Sequence, residues 1–256
     1  WRVQVTGLAL GRRFWLATSD GLVTGRVKEY LQQRTISNYL VRYIQTKYGE
    51  RVARGVTFAP MMRMLKKNSG IAYLSKAIQF STSWLSTFDV LARRNTYQLP
   101  HEHTDAMCPM CGVVKETNSH IIFECRDAKS VAARTEWING IRAVIAKANL
   151  PPDFCTALLT IWHLTDNGTL KRWNIAPADL QPPVFEQEDE FDSLGFHWTL
   201  TADETLQMLQ QGTTSELVYR GWLPRHWQDA MEGMGMSTEE AEQFLSAIQE
   251  KIFTGW

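Results

Sequence analysis

The chain has 256 residues, 44% hydrophobic and 21% charged, with a formal net charge of zero. That balance is ordinary for a soluble globular protein of one large domain or two small ones. It argues against a membrane protein: no apolar run approaches the ~20 residues that span a bilayer, and the start does not read as a signal peptide.

The zero net charge hides a polarity. Residues 1–100 carry 16 Lys+Arg against 4 Asp+Glu, residues 101–150 carry 6 of each, and residues 151–256 carry 5 against 17. A basic first part suits a polyanion, because each neutralised phosphate releases counterions. It equally suits a solvated face, or docking onto the acidic part of the same chain.

The first hundred residues read as a basic helical lobe. Residues 26–48 place Val27, Tyr30, Leu31, Val41, Ile44 and Tyr48 at helical spacing between Arg and Lys. Short alternations at Val3/Val5 and Val56/Phe58 are the sparse strand signals. Ile71, Leu74, Ile78, Leu85, Phe88 and Ala92 fall on one face at three- and four-residue steps, interrupted only at Ser81. They predict one helix ending near Arg93 and Arg94, where cations favour the negative end of the helix dipole. Those two arginines, and Lys66-Lys67 before them, are the candidate phosphate contacts. Tyr30, Tyr39, Tyr43, Tyr48, Trp84 and Tyr97 lie among the cations and suit stacking on unpaired bases.

The densest chemistry lies in residues 101–130. Cys108, Cys111, His120 and Cys125 have the spacing C-x2-C-x8-H-x4-C and use three of the four cysteines. Thiolates and imidazole are the ligands Zn²⁺ prefers, and three Cys with one His complete a closed tetrahedral site. Gly112 supports the turn after the second cysteine, because glycine takes positive φ without strain. Ile121, Ile122 and Phe123 between the last two ligands suit an apolar patch beneath the metal. Burial as plain hydrophobes is the alternative for such cysteines, but the spacing favours zinc. Four protein ligands leave no open position for catalysis. A zinc deaminase needs H-x-E and then P-C-x-x-C. Here His101-Glu102-His103 puts His where Glu is required, the two motifs are too close in sequence, and no proline precedes Cys108, which argues against that chemistry.

The stretch CPMCGVVKETNSHIIFECRD resembles the zinc-binding segment downstream of the reverse transcriptase in non-LTR retrotransposons. The resemblance rests on Cys108, Pro109, Cys111, Gly112, Glu116, Thr117, His120, the apolar run Ile121 to Phe123, and Cys125. Leu91 to Asn95 and Leu99-Pro100 resemble the basic lead-in, so the likeness covers roughly residues 85–130. It implies a role in holding RNA template or target DNA, and no catalysis by this segment. In keeping with that, the chain carries no polymerase palm motif, Gly-rich phosphate loop, nucleophile elbow or H-E-x-x-H helix. Its ends lack punctuation, and it reads as part of a longer polypeptide.

Beyond residue 130, Trp137, Ile138, Ile141, Val144 and Ile145 predict a helix. Asp153 is expected to cap another, through Leu158, Leu159 and Trp162, ended by the turn Asp166-Asn167-Gly168. Together they form a helical pair over 131–173. Residues 174–200, with Pro177, Pro182, Pro183 and an acidic run, read as a linker. Capping boxes at Thr201/Glu204 and Ser237/Glu240 predict two helices of an acidic C-terminal segment over 201–256, the first closed by Gly212. Between them the Trp- and Arg-rich stretch from Arg220 to Trp227 suits a contact surface, but aromatics followed by a helix favour core. Cys155 reads as a buried thiol in a helix.

The expected fold is mainly α, with a basic and an acidic lobe joined through one zinc knuckle. The expected function is a zinc-stabilised, non-catalytic region handling RNA or DNA. The alternative is a retroelement-derived structural subunit of a larger protein or ribonucleoprotein assembly, in which zinc only staples the fold. Cysteines spent on metal argue for a reducing compartment: the nucleus for an active retroelement, an organelle being compatible with a structural subunit.

Overall fold

A computed structural model describes residues 17–18, 21–22, 27–67, 71–82, 87–94, 106–173 and 200–255. The protein is mainly helical. In chain order the helices are α1 (Val27–Tyr48), α2 (Glu50–Gly55), α3 (Ala59–Lys67), α4 (Ile71–Ser81), α5 (Phe88–Arg94), α6 (Ala128–Ala146), α7 (Pro152–Ile161), α8 (Ala202–Gln210), α9 (Ser215–Tyr219), α10 (Arg225–Gly233) and α11 (Thr238–Thr254). A short antiparallel pair, β1 (Ala17–Thr18) and β2 (Gly21–Leu22), is the only sheet among the described residues. No described helix is long and apolar enough to cross a membrane. The Val3/Val5 alternation and the acidic segment 174–199 lie outside the described residues.

Several helices begin where their sequence signals stand. Thr201 Oγ1 accepts the Glu204 N–H and the Glu204 carboxylate accepts the Thr201 N–H, opening α8; Ser237 and Glu240 do the same for α11. Gly212 follows α8 at φ 65°. Asp127 opens α6 by accepting from the N–H groups of Lys129 and Ser130. At α7 the expectation shifts. Pro151 is the N-cap and Pro152 the first helical residue, where a fixed φ and a missing donor cost nothing. Asp153 lies in the first turn, favourable to the dipole but not the cap. The helix ends at Ile161, ahead of the Asp166-Asn167-Gly168 turn, which instead closes a small hairpin bridged at Leu164 and Leu170.

The single helix expected over 71–94 is two. Ser81 and Thr82 turn their hydroxyls back to donate to the Ile78 carbonyl, at 3.1 and 2.6 Å. Their own carbonyls, which a continuing helix would need, accept from Trp222 Nε1 and the Tyr43 hydroxyl, each at 2.8 Å. Tertiary partners thus end α4 where the local pattern predicts continuation. The alternation at Val56 and Phe58 yields only an isolated bridge from Val56 to Pro224, with the Thr57 N–H donating to Leu223.

One hydrophobic cluster runs from Leu40 and Ile44 of α1 to Ile252 and Phe253 of α11. Helix α11 packs on α3, α6 and α10, and α7 packs on α8. The basic and acidic parts therefore touch directly. Met61, Met64 and Leu65 bury one side of α3. At its rim Arg63 meets Glu239 and Glu242 (3.5 and 3.4 Å) and Lys67 meets Glu250 (2.9 Å). The stretch from Arg220 to Trp227 is core. Trp222, Leu223 and Trp227 are buried, with Trp227 Nε1 donating to Leu209 and Gln249 donating to the Gly221 carbonyl.

Candidate metal centre

The Cys/His segment is built from a tight hairpin and a widened helical turn. In the hairpin, Met107 bridges to Lys115, the Cys108 N–H donates to Val114, and the Glu116 N–H donates to Ala106. The Gly112 N–H closes back on the Cys108 carbonyl at 2.8 Å, with Gly112 at φ 67° as its position after the second cysteine predicts. This turn sets both thiols on one side.

The other two ligands are five residues apart. In a regular α-helix they would point about 140° away from each other. Residues His120–Glu124 instead form a π-helical turn, with the Cys125 N–H donating to the His120 carbonyl at 2.8 Å. The wider turn brings residues i and i+5 onto one face. The Thr117 hydroxyl starts it by accepting the His120 N–H. Glu116 ties the segment to α5: its carboxylate accepts the Phe88 N–H at 2.6 Å, at the helix start.

The four ligand atoms lie within 4.8 Å of one another and can hold a metal ion. The Sγ atoms of Cys108 and Cys125 are 3.9 Å apart, and Cys111 Sγ is 3.3 Å from His120 Nε2. Cys108, His120 and Cys125 are buried, and Cys111 is half-buried. Ile122 and Phe123 lie beneath them in the core. The N–H groups of Val113 and Val114 point at Cys111 and draw its thiol below the ordinary range. Burial pushes the Cys108 thiol up to about 11, against the amides of Cys111 and Met110. Burial also lowers the His120 imidazole, keeping it neutral and fit to ligate. Its Nδ1 lies 4.0 Å from the Glu124 carboxylate, beyond hydrogen-bond reach, and is buried with no hydrogen-bond partner among the described residues.

Sequence reading passed over the residues that anchor this segment. Arg134 of α6 is fully buried. Its guanidinium donates to the carbonyls of Ile121 (3.0 Å), Gly168 (2.9 Å) and Cys125. It thereby clamps the π-turn and the 164–170 hairpin to α6. Gly168 allows this approach, because a Cβ there would lie 2.4 Å from Val131. Tyr219 is also fully buried, among Phe123, Trp137, Trp162 and Trp173, and donates its hydroxyl to Ile161 at 2.6 Å. Arg172 lies over the Phe123 ring and donates to Glu124 and Ser119. Arg134 had a signal: it lies on the apolar stripe of α6, three and four residues before Trp137 and Ile138. Tyr219 and Arg172 had none.

Of the four candidate nucleic-acid residues, the structure describes the side chain of Lys67. Lys67 is exposed and paired with Glu250. Lys66 sits beside it near the end of α3, and Arg93 and Arg94 end α5; the side chains of these three lie outside the description. Of the expected stacking aromatics, Tyr43 and Tyr48 pack edge to face at 6.5 Å, while Tyr39 is exposed. Trp84, Tyr97, His101 and His103 lie outside the described residues. Cys155 stands apart in α7, half-buried, its thiol raised by burial and directed to the Leu150 carbonyl. Comparison of the chain with protein-family models, curated proteins and solved structures finds no match.

Proposed function

We propose that this chain is a zinc-stapled, non-catalytic region that handles RNA or DNA, of the kind its Cys/His segment resembles downstream of a non-LTR reverse transcriptase. The observation that carries this reading is the convergence of three thiols and one imidazole. A tetrahedral ion with metal–sulfur bonds of about 2.3 Å separates its sulfurs by about 3.8 Å. The 3.9 Å between Cys108 and Cys125 fits that spacing. Zinc held here supplies folding energy, and the filled tetrahedron leaves no place for substrate. The knuckle would fasten α5, at the end of the basic part, to α6.

A second reading has its own observation. Arg63 and Lys67 face Glu239, Glu242 and Glu250, so part of the basic charge is matched within the chain. That favours a retroelement-derived structural subunit. Anisotropy titration of the zinc-loaded chain with RNA and DNA at several salt concentrations separates the two. Nucleic-acid handling predicts tight binding at low salt that weakens steeply as salt rises. Weak binding with a flat salt response would overturn it in favour of the structural subunit.

A further inference from the structure

A groove of about 530 Å³ lies beside the metal segment, lined by Arg142 of α6, by Thr156, Leu159 and Thr160 of α7, and by His163 and Lys171 of the hairpin. None of these lining residues is acidic. Neither Arg142 nor Lys171 makes a salt bridge among the described residues, in contrast to Lys67 at the end of α3. His163 and Lys171 are exposed and Arg142 is half-buried. The two threonine hydroxyls donate to the helix carbonyls of Pro152 and Thr156. The donors left for a ligand are therefore those of Arg142, His163 and Lys171. The short threonine side chains keep the groove open between them.

We infer that this groove holds the phosphodiester backbone of a nucleic acid, and that the metal segment keeps it in shape. The inference rests on the nucleic-acid reading above, but it places the contact in the middle of the chain, at residues outside the basic first hundred. Charge complementarity selects the ligand: two cations, Arg142 of α6 and Lys171 of the hairpin, with the His163 imidazole between them in sequence and no lining carboxylate, suit a chain of phosphates. The link to the metal is through hydrogen bonds. The Lys171 N–H donates to the His163 carbonyl, the Leu170 N–H donates to Phe123, and Arg172 donates to Glu124 and Ser119. The segment that carries Lys171 is thus fastened to the π-turn that brings His120 and Cys125 onto one face.

The test compares the full zinc-loaded chain with the double variant Arg142→Gln/Lys171→Gln and with Lys66→Gln/Lys67→Gln. Each is titrated with short mixed-sequence single-stranded RNA and DNA across a salt series. With two phosphate contacts removed at about 0.7 each, the groove variant should lose about 1.4 from the salt slope. It should also bind on the order of tenfold more weakly at low salt. Its melting temperature and zinc content should match the parent, and either strand bound with the lowered slope supports the groove. If the parent binds steeply and the groove variant matches it in affinity and slope, the groove inference is overturned while the proposed function stands. A parent that binds neither strand removes both. Displacement of the nucleic acid by polyglutamate at equal affinity, lost in the same variant, would make this an acidic-protein groove and overturn the phosphodiester assignment.

Discussion

Arg134 is a cation with no exposed surface and no salt bridge among the described residues; backbone carbonyls of Ile121, Cys125 and Gly168 take its donors. Replacing it with Met keeps the stem but strands three acceptors, each costing about 1–3 kcal/mol when buried and unpaired. Arg134→Met should therefore lose about 3 kcal/mol or more in urea unfolding, and a loss under about 1 kcal/mol would show that the clamp is dispensable. His226 is the other buried titratable group of consequence. Burial pulls its imidazole from 6.5 down to about 4, against the carbonyls of Leu209 and Met208. The folded state thus resists protonation where the unfolded chain accepts it. Stability from this source is complete above pH 6.5 and drains away as pH falls towards 4, up to about 3 kcal/mol. His226→Gln should flatten the loss between those pH values in denaturant titrations; an unchanged slope would assign the acid sensitivity to other groups. At this scale the sequence was legible wherever chemistry is local. The four ligands and Gly112 stood out by spacing, whereas Tyr219 owes its role to rings contributed from Phe123 to Trp173.

The π-turn is the element on which the metal centre depends. It turns a five-residue separation into a shared face, and its hydrogen bonds reach α6 through Arg134 and the hairpin through Phe123, while Glu116, four residues before the turn, reaches α5. Loss of a ligand should therefore spread beyond the turn. In Cys125→Ser, amide exchange should quicken across residues 106–125, at the start of α5 and at Leu170, because metal binding and local folding are coupled. Retained protection at those amides would mean that the segment folds without its metal. The capping boxes of α8 and α11 were readable because a cap is a contact across three residues. The end of α4 was not, because Ser81 is stopped by Trp222, 141 residues away. The end of α7 is set by Trp162 entering the core, and not by the glycine turn beyond it.

Across the whole molecule, charge polarity and core continuity compete as explanations of why the two halves meet. The ion pairs of α3 with α11 lie at the rim, partly open to solvent, and such pairs are worth about 0–1 kcal/mol. Met64, on the buried face of α3, has no exposed surface. Met64→Ala should cost about 2–5 kcal/mol, while Glu250→Lys should cost less than about 1 kcal/mol. The reverse order would make electrostatics the main tie. Composition revealed the polarity and the helical class, but not that one hydrophobic cluster runs through both parts. That continuity comes from pairings such as Phe80 of α4 with Phe253 of α11, whose rings meet edge to face at 5.9 Å and which no local pattern encodes.

The central claim is that Cys108, Cys111, His120 and Cys125 together hold one zinc ion. X-ray absorption at the zinc edge of the purified chain tests it most directly. The account predicts one zinc per chain, with three sulfur neighbours near 2.3 Å and one nitrogen near 2.0 Å, as closed structural sites require. No zinc in the protein, or zinc ringed by oxygen with an open position, would contradict it.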